Sequence, residues 1–262
     1  MTGFIGGGKM AEALIKGIAG KGNRSIFVAE PLEERRRYLE TSYGIRTSAS
    51  NKEVAGSCNI IILAIKPQNM AAVLDEIAGC MSENKTVVSI AAGITLAFLQ
   101  KKLKTGRLVR VMPNTPAIVQ EGMSVLSLCE CLPESDIAAV REIFMSVGKV
   151  LTLPEKYMNA VTALSGSGPA FIALFEEAMI AAGVQMGLSP ADATELSLQT
   201  LSGTARLLET GISPGDLRIM VTSPGGTTAA GLRAFEEKGF KEIVSGALQA
   251  ALKRAEELGS GN

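Results

Sequence analysis

Met1-Thr-Gly-Phe-Ile-Gly-Gly-Gly-Lys-Met-Ala11 decides how the rest of the chain is read. Thr2 to Ile5 is a short apolar strand, and Lys9 to Ala19 has the spacing of a helix. Between them stands Gly6-x-Gly8-x-x-Ala11, the glycine-rich turn of a dinucleotide-binding βαβ unit. In that motif Gly6 allows the tight strand-to-helix turn and Gly8 lets backbone approach a pyrophosphate. Ala11 keeps the helix close to the sheet. The helix N-terminus adds free N–H groups and the positive end of its dipole. A plain tight turn would use the same glycines. The placement, straight after a strand and opening a helix, carries the nucleotide reading.

The alternation continues outward from this unit. Ser25-Ile-Phe-Val-Ala29 is a second strand ending at Glu30-Pro31, Leu32 to Ser42 is a charged helix, and Gly44-Ile-Arg46 is a short third strand. Asn59-Ile-Ile-Ile-Leu-Ala-Ile65 is continuous and β-branched, as a centrally buried parallel strand should be. It stops at Lys66-Pro67, where proline opens the next helix. Thr86 to Ile90 and Arg107 to Met112 add a fifth and a sixth strand, stopped by Ala91-Ala-Gly93 and Pro113-Asn-Thr-Pro116. Strands alternating with helices predict a doubly wound parallel sheet, in which ligands bind beyond the carboxyl ends of the strands. Four such ends, at Gly6–Gly8, Ala64–Pro67, Ala91–Gly93 and Pro113–Pro116, carry small, proline or amide residues that let a flat ring lie against backbone. Each alone is ordinary loop punctuation; together they favour a site.

The pattern changes near Pro154. From Glu155 onward only Ala-, Leu- and Met-rich helical periods remain, broken at Ser165–Pro169, Gly187–Pro190, Gly211–Pro214 and Ser223–Gly226. The expected division is an N-terminal α/β domain over residues 1–153 and an all-α domain over 154–262. Ala170 to Phe175 and Ala178 to Val184 are apolar on more than one face, more than so small a bundle can hide, which predicts a homodimer.

Composition narrows the chemistry. The 26 basic and 26 acidic residues cancel, so nothing points to nucleic acid or an anionic membrane as partner. The charge-free stretch Tyr157 to Phe175 contains Asn159, Thr162 and Ser165-Gly-Ser-Gly-Pro169, and reads as a buried helix entrance rather than a membrane span. Cys58, Cys80, Cys129 and Cys131 form no disulfide framework, and no signal peptide precedes the first strand, so a cytoplasmic, reduced protein is expected. The chain has 0 histidines, which excludes Ser-His triads, histidine bases and histidine-based metal sites; no metal is expected.

Five motifs then occur in order: Gly3-Phe-Ile-Gly-Gly-Gly-Lys-Met-Ala11, Ala64-Ile-Lys-Pro67, Met112-Pro-Asn-Thr-Pro116, Ser165-Gly-Ser-Gly-Pro-Ala170 and Val221-Thr-Ser-Pro-Gly-Gly-Thr-Thr228. With them the chain resembles the pyrroline-5-carboxylate reductase family from end to end, and the last two motifs are the most specific. The resemblance implies a Rossmann domain followed by a helical dimerisation domain, with dimers often assembled into rings. It implies hydride transfer from NADPH or NADH to the C=N bond of 1-pyrroline-5-carboxylate, giving L-proline. By the same resemblance the cofactor touches Ile5, Gly6, Gly7, Gly8, Lys9, Met10, Asn51, Ala64, Ile65, Lys66, Pro67, Ile90, Ala91 and Ala92. Substrate touches Ser223, Gly225, Gly226, Thr227 and Thr228, donated across the dimer, with Thr228 orienting it.

One position departs from the family. Glu30 stands where NADP-preferring members carry a small hydroxyl residue, and it lies 22 residues after Gly8 (30 − 8), near the spacing at which an acidic residue binds ribose hydroxyls. A carboxylate there accepts from the 2′-OH of NADH and repels the 2′-phosphate of NADPH, so NADH is expected to serve at least as well. Arg35, Arg36 and Arg37 either reach round to such a phosphate or form a solvated helix face.

The chemistry suits these residues. A protonated cyclic imine is already electrophilic at carbon, so the site must mainly supply position. Pro224-Gly-Gly-Thr-Thr228 offers two successive glycine N–H groups as an anion-binding concavity followed by hydroxyls; Thr227 or Thr228 could equally cap a helix over Ala229 to Phe235. Lys66 reads either as a catalytic cation or as a strand-end lysine presenting backbone. Ser165 and Ser167 have no base, so their motif reads as close helix packing near the substrate. Glu155 is expected at the surface. A β-hydroxyacid dehydrogenase would need a lysine base early in the helical domain, and Gly168 to Met179 has none. A non-catalytic nucleotide sensor would not need the Ser223–Thr228 loop.

Overall fold

The computed structural model describes residues 1–260. They form two compact units, Met1–Pro169 with the chain from Ala251 on, and Ala170–Ala250.

The first unit is built on one eight-stranded sheet. Its strands are β1 (Thr2–Ile5), β2 (Ile26–Ala29), β3 (Arg46–Ser48), β4 (Ile60–Leu63), β5 (Thr86–Ser89), β6 (Leu108–Met112), β7 (Gly122–Leu128) and β8 (Gly148–Thr152), in the order β3-β2-β1-β4-β5-β6-β7-β8. The first six are parallel and reproduce the dinucleotide-binding order, with the topological switch between β1 and β4. β7 runs antiparallel to β6, and β8 runs parallel to β7. The doubly wound sheet is therefore as expected, extended by two reversed strands that the sequence did not announce.

Alternation along each strand makes two cores. Phe4, Val28, Ile62 and Val88 point to the face covered by α1 (Lys9–Gly20), by Leu39 of α2 (Glu33–Tyr43), and by Val140, Ile143 and Phe144. Ile5, Phe27, Ile61, Leu63 and Val87 point to the other face, under α3 (Asn51–Ser57), α4 (Met70–Ile77) and α5 (Leu96–Leu103). Burial on both faces is why β1, β2 and β4 read as unbroken apolar runs. The third strand starts at Arg46 rather than Gly44, because Gly44 is the C-cap of α2, its N–H bonded to Glu40 O at 2.9 Å. A sixth helix, α6 (Glu134–Met145), joins β7 to β8.

After β8 no further strand follows among the described residues, and the chain runs in helices joined by turns. A short helix α7 (Met158–Val161) widens into a π-turn over Thr162–Gly166, then α8 (Gly168–Gln185) begins. The second unit holds the rest of α8 with α9 (Pro190–Glu209), α10 (Pro214–Met220), α11 (Thr227–Glu237) and the start of α12 (Phe240–Ser260). Its buried side chains are few: Glu176, Ala193, Ser197 and Leu217. Ile172, Leu174, Met179, Leu196, Leu198, Ile219 and Ile243 are exposed. By length and composition the helical run Glu155–Gln185 could cross a membrane, although the π-turn and Pro169 interrupt it.

Candidate functional site

The expected cofactor residues gather along the carboxyl edge of the sheet. Backbone bonds join successive strand ends there: Glu30 N to Ser48 O at 3.0 Å, Gly6 N to Ala29 O at 2.8 Å, Ala64 N to Ile5 O at 2.8 Å and Ile90 N to Leu63 O at 3.2 Å. Ile5 to Met10, Glu30, Ala64 to Pro67 and Ile90 to Ala92 thus lie on one rim, with Asn51 opening α3 just after β3. Asn51 Nδ2 donates to Glu76 Oε2 at 2.8 Å. Lys66 is exposed; its carbonyl closes the turn that Asn69 N enters at 3.0 Å.

The loop itself fits a dinucleotide. Gly6 has φ +98°, and a Cβ there would stand 2.5 Å from Ala64 O, so only glycine passes between β1 and β4. Gly8 is the N-cap of α1 with no side-chain cap, and a Cβ on it would meet nothing within 4 Å. An uncapped helix N-terminus bordered by open space is what a pyrophosphate requires.

The charged residues around the loop are held by hydrogen bonds. Glu30 is 9% exposed, and its two carboxylate oxygens accept from Gly7 N at 2.9 Å and Leu32 N at 3.0 Å. The arginine run is not one solvated face. Arg35 Nε donates to Gly7 O at 2.7 Å and its terminal nitrogen to Glu12 Oε2 at 2.6 Å. Arg36 donates to the carbonyls of Glu30 and Pro31, both at 2.8 Å. Only Arg37, paired with Glu33 on the same helix, is solvated. Tyr38 and Tyr43 hydroxyls also donate to Glu12, at 2.8 and 3.0 Å. Burial pushes the Glu12 carboxyl up, but the bonds from Arg35, Tyr38 and Tyr43 and the Arg35 charge outweigh it, holding the group below the ordinary glutamate value. Burial also pushes the Cys58 and Cys129 thiols up, so neither is a ready thiolate.

Two contacts escaped the sequence reading. Asn114, beyond β6, accepts from Met123 N at 2.8 Å and donates to Ser165 O and Oγ, both at 3.3 Å, tying a strand end to the π-turn. Its place between Pro113 and Pro116 was the only signal. Glu155 is partly exposed, as a surface residue would be, but it is also bonded into the fold: its Oε1 accepts from Leu96 N at 2.8 Å and from the buried Arg110 guanidinium at 3.1 Å. The charge beside Pro154 belongs to a partly buried ion pair.

The loop expected to hold substrate lies in the second unit, between α10 and α11. Ser223-Pro-Gly-Gly226 is a tight turn closed by Gly226 N to Ser223 O at 3.1 Å, with Gly225 at φ +71°. Proline second and a left-handed glycine third is the type II pattern. Two expectations change here. The Gly226 N–H is consumed by the turn, so the two glycines do not offer successive free donors. And α11 begins at Thr227 with Gly226 as N-cap and no side-chain cap, so neither Thr227 nor Thr228 caps it. The first intrahelical bond is Ala230 N to Gly226 O at 3.2 Å, which leaves the N–H groups of Thr227, Thr228 and Ala229 ahead of it, with both threonine hydroxyls beside them.

The strand order and the uncapped glycine loop make the first unit a dinucleotide-binding domain. Residues 155–258 match the family model of pyrroline-5-carboxylate reductase dimerisation, and residues 1–93 match that of coenzyme F420-dependent NADP oxidoreductases. The pyrroline-5-carboxylate reductase of a Synechocystis strain is 42% identical, over 98% of this chain and 97% of its own. The solved reductase of Coxiella burnetii superposes with a TM-score of 0.92 at 35% identity, covering 98% and 97% of the two chains. That of Plasmodium falciparum, with NADP bound, gives 0.89 at 34%, covering 98% and 97%. The chain belongs to the pyrroline-5-carboxylate reductase family. It is an NAD(P)H-dependent enzyme of the last step of proline biosynthesis, reducing 1-pyrroline-5-carboxylate to L-proline.

Proposed function

We propose that the reaction runs on a site assembled from two chains. Cofactor lies on the carboxyl edge of the first unit, against Ile5 to Met10, Asn51, Ala64 to Pro67 and Ile90 to Ala92, with Glu30 beside the ribose. Substrate is held by Ser223, Gly225, Gly226, Thr227 and Thr228 of a second copy. The observation that carries the substrate side is the uncapped start of α11, whose N–H groups at Thr227, Thr228 and Ala229 suit a carboxylate.

The reduced nicotinamide, when bound, supplies the hydride that the imine carbon accepts. The protein contributes position and polarity. The α11 amides fix the substrate carboxylate, and the Thr228 hydroxyl orients the ring. The iminium nitrogen already carries its proton and takes up the C=N electron pair as the carbon accepts hydride, so no side chain need donate. A chain with 0 histidines loses nothing by this. Lys66 presents backbone rather than catalysis.

The division into a cofactor domain and a dimerisation domain is placed between residues 153 and 154, where β8 has ended at Thr152, although residues 154–169 and the chain from Ala251 cluster with the first compact unit. The apolar side chains left exposed on α8, α9 and α10 are covered in the dimer, and dimers build a ring, in the cytoplasm and without nucleic acid or membrane. NADH serves at least as well as NADPH, because the Glu30 charge stands at the end of β2. Proline formation from pyrroline-5-carboxylate, measured with each cofactor, tests this. A strong preference for NADPH would overturn the cofactor order.

A further inference from the structure

We infer that Glu30 and Arg35 are positioning residues that clamp Gly7, through its two flanking peptides, between opposite charges and so set the orientation of the cofactor loop. The inference rests on the cofactor loop proposed above. Each polar group of Gly7 has a charged side-chain partner: its N–H donates to Glu30 Oε2 at 2.9 Å, and its carbonyl accepts from Arg35 Nε at 2.7 Å. Both bonds are charge-assisted, the stronger class of protein hydrogen bond.

The clamp is itself held at both ends. The second Glu30 oxygen accepts from Leu32 N at 3.0 Å, which fixes the carboxylate to the chain leaving β2. Arg35 is anchored by Glu12 at 2.6 Å and lies over the Tyr38 ring, 5.0 Å from its centre. Glu12 belongs to α1, the helix that the loop opens, so the network joins loop, helix and β2–α2 connection in one closed circuit. With its N–H bonded to Glu30, Gly7 does not share in anion binding through that group, and the donors left at the start of α1 are those of Lys9, Met10 and Ala11, ahead of the first intrahelical bond from Glu12 N to Gly8 O. Both cofactors share the pyrophosphate that this loop faces, so the clamp governs affinity for NADH and NADPH alike. Reading of the 2′-substituent is a separate effect of the same carboxylate.

The two effects separate in one experiment. KM for NADH and KM for NADPH are measured for wild type, Glu30→Gln and Arg35→Gln, together with KM for pyrroline-5-carboxylate, kcat and the melting temperature. Glutamine keeps the shape of Glu30 but has one acceptor oxygen for two N–H donors. The clamp contributes a common rise of about tenfold to both cofactor KM values in Glu30→Gln, the effect of one lost charged hydrogen bond on binding, and the ribose reading adds a shift of their ratio toward NADPH. Arg35→Gln, which leaves the Glu30 carboxylate in place, raises both by a similar factor with their ratio unchanged. KM for pyrroline-5-carboxylate moves far less in both variants, which general loss of structure would not spare. If the KM for NADPH falls in Glu30→Gln while that for NADH rises, and Arg35→Gln matches wild type, the clamp is wrong and Glu30 only reads the ribose. If both rise together with no change in ratio, the clamp stands and the ribose reading fails.

Discussion

Glu155 Oε1 accepts two hydrogen bonds at once, from the Arg110 guanidinium at 3.1 Å and from Leu96 N at 2.8 Å. One carboxylate thereby joins β6, the start of α5 and the chain that follows β8. The Arg110 side chain is 6% exposed and that of Glu155 is 32% exposed, so the anion keeps some contact with water and the cation almost none. Removing the anion strands a buried charge, which costs more than the intact pair contributes. Glu155→Ala should lower stability by about 2–3 kcal/mol, reduced from the range for fully buried pairs because Glu155 is partly solvated. Arg110→Met combined with Glu155→Leu should recover most of it. Thermal melts of the two variants decide; a Glu155→Ala protein as stable as wild type would remove the pair from the account.

Thr228→Ala should lower kcat/KM by about one to two orders of magnitude, the scale of a lost hydrogen bond to a charged group, with cofactor binding nearly unchanged. The structure sharpens this test. Because Gly226 and not Thr228 is the N-cap of α11, the substitution removes no cap and exchanges threonine for a better helix former. Melting temperature should hold or rise slightly while activity falls. Full turnover in the variant would refute the assignment, and a matching drop in stability would recast it as structural.

The second unit should not persist alone in solution. Its buried apolar side chains are few, while Leu174, Ile219 and Met220 are each at least 65% exposed. Exposed apolar area of this kind calls for a partner surface. Sedimentation at micromolar concentration should show dimers or larger species and no monomer. A stable, active monomer would contradict the two-chain site.

Acid should act through Glu12. Its carboxyl is held below the ordinary value of 4.5 in the folded protein, so the folded state favours the ionised form. That contribution is fully present above the unfolded value and is lost as pH falls through the folded one. Glu12→Gln should therefore be less stable than wild type at pH 7, by about 1–2 kcal/mol for the lost charged bonds, and the two should converge as pH drops below 4.5. Urea unfolding at a series of pH values gives the comparison. A gap that stays constant down to pH 3 would show that the charge of Glu12 is not what stabilises.

The legible parts of the chain were those where burial is continuous. β1, β2 and β4 lie between two helical layers, and apart from Thr2 at the start of β1 their sequences carry no polar residue. β7 carries Ser124 and Ser127, each 1% exposed, which interrupt its apolar pattern, and it follows β6 through a short turn rather than a crossover helix, so the strand–helix alternation does not mark it. β8 forms the sheet edge and buries little, so no periodicity marks it. In the site, residue types at strand ends could be read, since small side chains and prolines there have local reasons. Hydrogen bonds between distant residues could not. Glu30 meets Gly7 across 23 residues and Asn114 meets Ser165 across 51, and neither spacing leaves a periodic trace.

The central place of β1 bears on the order in which the molecule comes together. Pairing Thr2 with Ile26 closes 24 residues (26 − 2), whereas pairing Thr2 with Ile60 closes 58 (60 − 2). Closure entropy and the intervening crossovers make the second event the slower one. Until β4 docks, one edge of β1 stands open, and that strand ends buried at all four positions. An open, uncharged apolar edge is a template for another chain. The interval between those two pairings is therefore when a newly made chain is most prone to associate with its neighbours.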